Sequence, residues 1–147
     1  MKKVFKFIIC ILLIITLNGC GKKESLNKDT FYNELSALGF GVVDVTGQME
    51  DKSVKTLYTA NNGKYQFEFY VFDNSENALN AFNGNKDYLT QKKGKEKEIT
   101  KEEYNKFISV KDNEYNVIVR LKETLIFTSI NSEYKKDFEK VLSDIGY

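Results

Sequence analysis

The chain has 147 residues with 22 basic and 21 acidic side chains, so its formal net charge is +1. This size favours one domain, and the charge balance argues against nucleic acid, whose binders show a strongly basic face. Histidine, tryptophan and proline are absent. The commonest general base and transition-metal ligand are therefore missing, and no metal or cofactor is expected. Arg120 is the single arginine, which leaves little means for bidentate recognition of phosphate or guanine.

Lys2, Lys3 and Lys6 precede a short apolar run, Phe7 to Leu17, "FIICILLIITL". A bilayer-spanning helix needs about 20 apolar residues. This run is shorter and fits the apolar part of an export signal. Leu17, Asn18 and Gly19 then lead into Cys20. Leu17, Gly19 and Cys20 resemble the junction of bacterial lipoprotein signal peptides cut by lipoprotein signal peptidase. Asn18 departs from the more usual Ala, Ser or Thr. The resemblance implies a signal peptide over residues 1–19, diacylglycerol on the Cys20 sulfur and cleavage before Cys20. It also implies lipid anchorage on the extracytoplasmic face of the cell membrane. Two or three acyl chains hold a protein on a bilayer stably, whereas one does not. Cys10 would leave with the signal, so the mature chain could form no internal disulfide. The 22 basic residues less Lys2, Lys3 and Lys6 leave 19 against 21 acidic ones. "GKKESLN", Gly21 to Asn27, reads as a flexible tether, with Lys22 and Lys23 suited to anionic head groups. In general character the chain is similar to small lipoproteins of AT-rich Gram-positive bacteria.

A single folded domain is expected over residues 28–147. Asp29 or Thr30 can cap a helix whose apolar positions are Phe31, Leu35 and Leu38, and Gly39 can end it. Phe40 to Val45 is a short strand, Thr46 to Asp51 a loop, and Ser53 to Ala60 a second strand. Asn61-Asn62-Gly63 is a hairpin turn. Tyr65 to Phe72 is the clearest strand, with Tyr65, Phe67, Phe69 and Val71 on one face. Asp73 or Asn74 caps a second helix, with Ala78, Phe82 and Leu89 on one side. Lys86 to Glu103 reads as a solvated charged stretch.

Three strands follow, Tyr104 to Val110, Tyr115 to Leu121 and Thr124 to Ile130. Asn131-Ser132-Glu133 opens a last helix, where Tyr134, Phe138, Val141, Leu142 and Ile145 form one stripe. The order αβββ-αβββ-α suggests an internal repeat, and "NSE" recurs at two strand-to-helix junctions. The predicted class is α+β: a two-layer fold of about six antiparallel strands with helices on one face.

No catalytic motif stands out. Asp44, Glu68, Asp73 and Glu76 are carboxylates that could serve an envelope hydrolase, each with a simpler role as a strand or capping residue. Lys111 to Glu114 lacks the glycine and final glutamate of a calcium loop. Lys86 to Lys106 holds seven lysines and five acidic residues, either a solvated face or a basic patch for lipid or cell-wall polymer. The sheet's second face is too apolar at its centre for open solvent. Tyr70, Phe72 and Ile118 mark it as an interaction face, unless the sheet curls over it. Its occupant would be a second copy, a ligand or an envelope protein. The function expected from the sequence is that of a non-catalytic binding or interaction module.

Overall fold

A computed structural model describes residues 24–147; the signal peptide and lipidated Cys20 expected from the sequence lie outside the described residues. Helix α1 spans Lys28–Ala37 and packs Phe31 and Leu35 into the core. Its cap is Asn27, whose Oδ1 accepts from the Thr30 amide at 2.9 Å. The expected cap at Asp29 or Thr30 thus moves upstream, because Asn27 is an equally good acceptor placed three residues before a free amide. Leu38 ends 44% exposed, off the buried face.

Strands β1 (Gly41–Asp44), β2 (Val54–Asn61) and β3 (Gln66–Phe72) form an antiparallel meander, with a 3-10 turn at Thr46–Gln48. Between β2 and β3, Gly63 takes φ +82, a left-handed conformation that costs other residues a steric penalty. Asn61 and Asn62 hold the same turn by accepting from the amides of Gly63, Lys64 and Tyr65.

Helix α2 (Ser75–Gln91) is capped by Asn74, as expected. It leads to β4 (Lys95–Thr100), then β5 (Tyr104–Lys111), β6 (Glu114–Leu121) and β7 (Thr124–Asn131). A 3-10 turn at Ser132–Tyr134 precedes helix α3 (Lys135–Asp144).

The class is α+β, with seven strands instead of about six. Their order is β1-β2-β3-β7-β6-β5-β4, all neighbours antiparallel. The additional strand is β4, "KEKEIT", which the charge-rich sequence disguised as a solvated stretch. It lies at the sheet edge and is almost wholly exposed, so it has no apolar face to display, and lysine is favoured on such edges. The second unit therefore has four strands, and the strict αβββ repeat does not hold. The two "NSE" junctions also differ. Asn74 caps an α-helix, whereas Asn131 accepts from Glu133 in a 3-10 turn.

Helices cover both faces, so the fold has three layers where two were expected. Helices α1 and α3 share one core with Tyr58, Phe67, Phe69, Val117, Val119 and Ile126. Helix α2 covers the other face, burying Ala78, Phe82 and Leu89 against Leu57, Phe72, Phe107, Ile118 and Leu125. The topology explains this. β3 lies inside the sheet and β4 at its far edge, so the connection must cross over β7, β6 and β5. β6 is consequently sandwiched, and seven of its eight residues are buried.

Candidate functional site

The three residues proposed as an exposed interaction face lie under or beside α2. Ile118 is 0% and Phe72 6% exposed. The apolar second face is explained by the protein's own helix, an arrangement that helical periodicity alone does not reveal. Tyr70 remains half-buried, its hydroxyl donating to Glu68 Oε2 at 2.6 Å. Burial, with the Glu68 carboxylate beside it, raises the Tyr70 phenol well above its ordinary range. Tyr70 and Phe72 stand nearly parallel, ring centroids 6.1 Å apart. With Met49, Asn85 and Phe127 they line a cleft of about 210 Å³ at the flank of α2. The structure thus brings Tyr70 and Phe72 together and leaves Ile118 beneath the helix.

The carboxylate candidates occupy separate local positions. Asp44 accepts from the Thr46 amide at 2.9 Å, and its hydrogen bonds with Thr46 hold its acid below the usual range. Asp73 accepts from the side-chain amides of Asn74 and Asn77 at the start of α2. Glu76 sits in the first helical turn and Glu68 is engaged by Tyr70. None of the four lines the cleft beside Tyr70. Lys111 to Glu114 makes the expected turn, with Asp112 at φ +52. Among the described residues no group of acidic side chains is arranged to hold a metal.

Arg120 is 3% exposed and ties two loops together. Its Nε donates to Asn105 Oδ1 at 2.7 Å, Nη1 to the Lys122 carbonyl at 2.9 Å and Nη2 to the Glu102 carbonyl at 3.3 Å. Burial lowers its affinity for the proton.

The lysine-rich run from Lys86 to Lys106 divides between three elements. Lys86 reaches Glu98 at 2.7 Å on the α2 side of the sheet. By strand alternation Lys95, Lys97 and Ile99 point to the other side, where β4 and β5 extend beyond α3. They border a groove of about 500 Å³ with Lys106, Ile108 and Val110 of β5, Tyr115 of β6, and Lys135 and Glu139 of α3. Lys106 is 9% exposed and pairs with Glu139 Oε2 at 2.6 Å. The Tyr115 hydroxyl donates to Glu139 Oε1. Burial and that contact push the Tyr115 phenol far up. Lys135 lies over the Tyr115 ring, 5.2 Å from its centroid. The run suggested lysines as a patch, but Lys135, Glu139 and Tyr115 carry no signal tying them to it. Their only local clue is that Lys135 and Glu139 are four residues apart on one helix face.

At the opposite end of these strands the chain enters the domain. Ser25 Oγ donates to Glu123 Oε1 at 2.5 Å, and Leu26 packs against the core. No protein-family model, curated protein or solved structure matches this chain.

Proposed function

We propose that this protein is a lipid-anchored extracytoplasmic binding module that carries out no catalysis. The observation that carries the reading is the order of features at the N-terminus: lysines, a short apolar run, Gly19 and then Cys20. The domain supports it in two ways. Its single arginine is committed to tying loops, and its candidate carboxylates are engaged in capping and strand contacts. Five chain steps link Cys20 to Ser25, which is already tied to Glu123. Fully extended they span roughly 17 Å, so the domain would rest close to the lipid surface.

The test is metabolic labelling with an alkyne-bearing fatty acid in a bacterial host, followed by intact mass measurement. Label on the wild type, a mature chain beginning at Cys20, and loss of both in Cys20→Ser are expected. An unlabelled wild type with its first 19 residues intact would end the reading.

A further inference from the structure

We infer that the groove between β4, β5 and α3 binds a single-chain amphiphilic anion: an aliphatic chain ending in a carboxylate or phosphate. This deepens the binding-module reading by assigning its ligand class, and rests on it only for the setting.

Three observations converge. The groove's floor is aliphatic. Ile108 and Val110 pack against the edge of the core that α1 and α3 share, yet they and Ile99 stay partly exposed in the groove. Partly exposed apolar surface of this shape gains free energy when a hydrocarbon chain covers it, in proportion to the area removed from water.

The rim is cationic. Lys95, Lys97, Lys106 and Lys135 border the groove with two glutamates. One of these, Glu96, points to the sheet's other side by alternation. The other, Glu139, is taken up by Lys106 and Tyr115. Lys95 and Lys97 are exposed and pair with no carboxylate among the described residues. Their charge is left for an incoming anion.

The donors are also of the kind that suits a loosely specified head group. Lysine ammonium groups on flexible stems act as point charges. No arginine fork is among the lining residues to select a planar, bidentate partner. A free inorganic anion would leave the aliphatic floor unused, and a neutral hydrocarbon would leave the lysines unused. An amphiphilic anion uses both. The cavity of about 500 Å³ lies in the range of small-molecule sites, about 300–1,000 Å³.

The experiment uses the full-length protein in isolated host membranes, where no new acylation occurs. A fatty acid bearing a mid-chain diazirine and a terminal alkyne is added and photolysed, and the labelled peptides are mapped. Label is expected on β4, β5 and α3 around Lys95 to Val110 and Lys135 to Glu139. An excess of dodecanoate should suppress it, whereas dodecanol or inorganic phosphate should not. Lys95→Glu with Lys97→Glu should reduce labelling by about tenfold or more, since each lysine beside an anion contributes measurably. Both positions are exposed, so the fold should persist; Lys95→Gln with Lys97→Gln, which introduces no repulsion, should give an intermediate loss. Label confined to the chain around Ser25, or spread without regard to dodecanoate or to the charge changes, would overturn the inference. Acylation of Cys20 is read in the same samples. A labelled groove on a chain that is not acylated would remove the anchor and leave the groove assignment standing.

Discussion

The rings of Phe31 and Phe69 lie stacked, centroids 4.0 Å apart and 8° from parallel, joining α1 to the middle of the sheet. Both are 0% exposed. Phe31 also meets Phe67 edge-on at 6.0 Å, so one side chain of a ten-residue helix touches two rings of β3. An isolated helix of that length is marginal in water, and α1 depends on this contact to stay docked. Phe31→Ala should cost about 3–5 kcal/mol, the usual range for emptying an aromatic site in a core. Urea denaturation should show a lower midpoint with an unchanged slope. A loss below about 1 kcal/mol would mean that the aromatic cluster repacks.

Arg120 is a buried cation whose three hydrogen bonds go to neutral oxygens, from Asn105, Lys122 and Glu102. Replacing it with alanine strands three acceptors, two of them main-chain carbonyls in loops at the same end of the sheet. The expected loss is about 2–4 kcal/mol. Arg120→Lys should recover little, because one ammonium cannot reach three acceptors spread across a guanidinium fork. Hydrogen exchange should quicken first at residues 101–105 and 121–124. Uniform quickening across the sheet would show instead that Arg120 supports the whole core.

Six tyrosines, Tyr58, Tyr65, Tyr70, Tyr104, Tyr115 and Tyr147, are held above the ordinary phenol range, in each case chiefly by burial. Tyr65 reaches about 12. The fold favours the protonated phenol, so the folded state binds more protons than the unfolded one as pH rises beyond about 10. Stability is then unaffected by these groups below that pH and falls from there through their folded values. Phenolate absorbance and circular dichroism followed together should show these six ionising late, in one step that coincides with unfolding. Smooth ionisation near pH 10 with the fold intact would contradict their burial.

Much of this architecture could be read from the sequence, where a residue's burial leaves a local trace. Period two exposed β3, and the spacing of Phe138, Val141, Leu142 and Ile145 exposed α3. Asn61 to Gly63 announced their turn by chemistry. Three things left no such trace. β4 buries almost nothing, so its strand character was invisible. The stripe Ala78, Phe82 and Leu89 says that α2 has an inner side, but not which face of the sheet receives it; that follows from where β4 lands. The groove depends on Lys106 meeting Glu139 across 33 positions of chain, a contact that neither periodicity nor spacing encodes. Even the cap of α1 was ambiguous, because Asn27, Asp29 and Thr30 are all competent acceptors.

The outer edge of β4 presents unpaired backbone groups behind alternating lysine and glutamate. Two copies joined antiparallel through this edge, about a two-fold axis, would set Lys97 against Lys97 or Glu98 against Glu98. Like charges directly opposite on one face are destabilising, so the alternation protects an edge that would otherwise recruit a second sheet. Lys95→Val with Lys97→Val turns the strand into "VEVEIT" and removes that repulsion from the groove side. Gly94 should preserve the start of the strand, since a Cβ there would already meet Ser109 Oγ at 2.5 Å and the Val110 carbonyl oxygen at 2.8 Å. Sedimentation velocity on the variant should show association that grows with concentration, while the charge-bearing chain does not self-associate through β4. A variant that stays monomeric at every concentration would mean that Glu96 and Glu98 suffice to guard the edge.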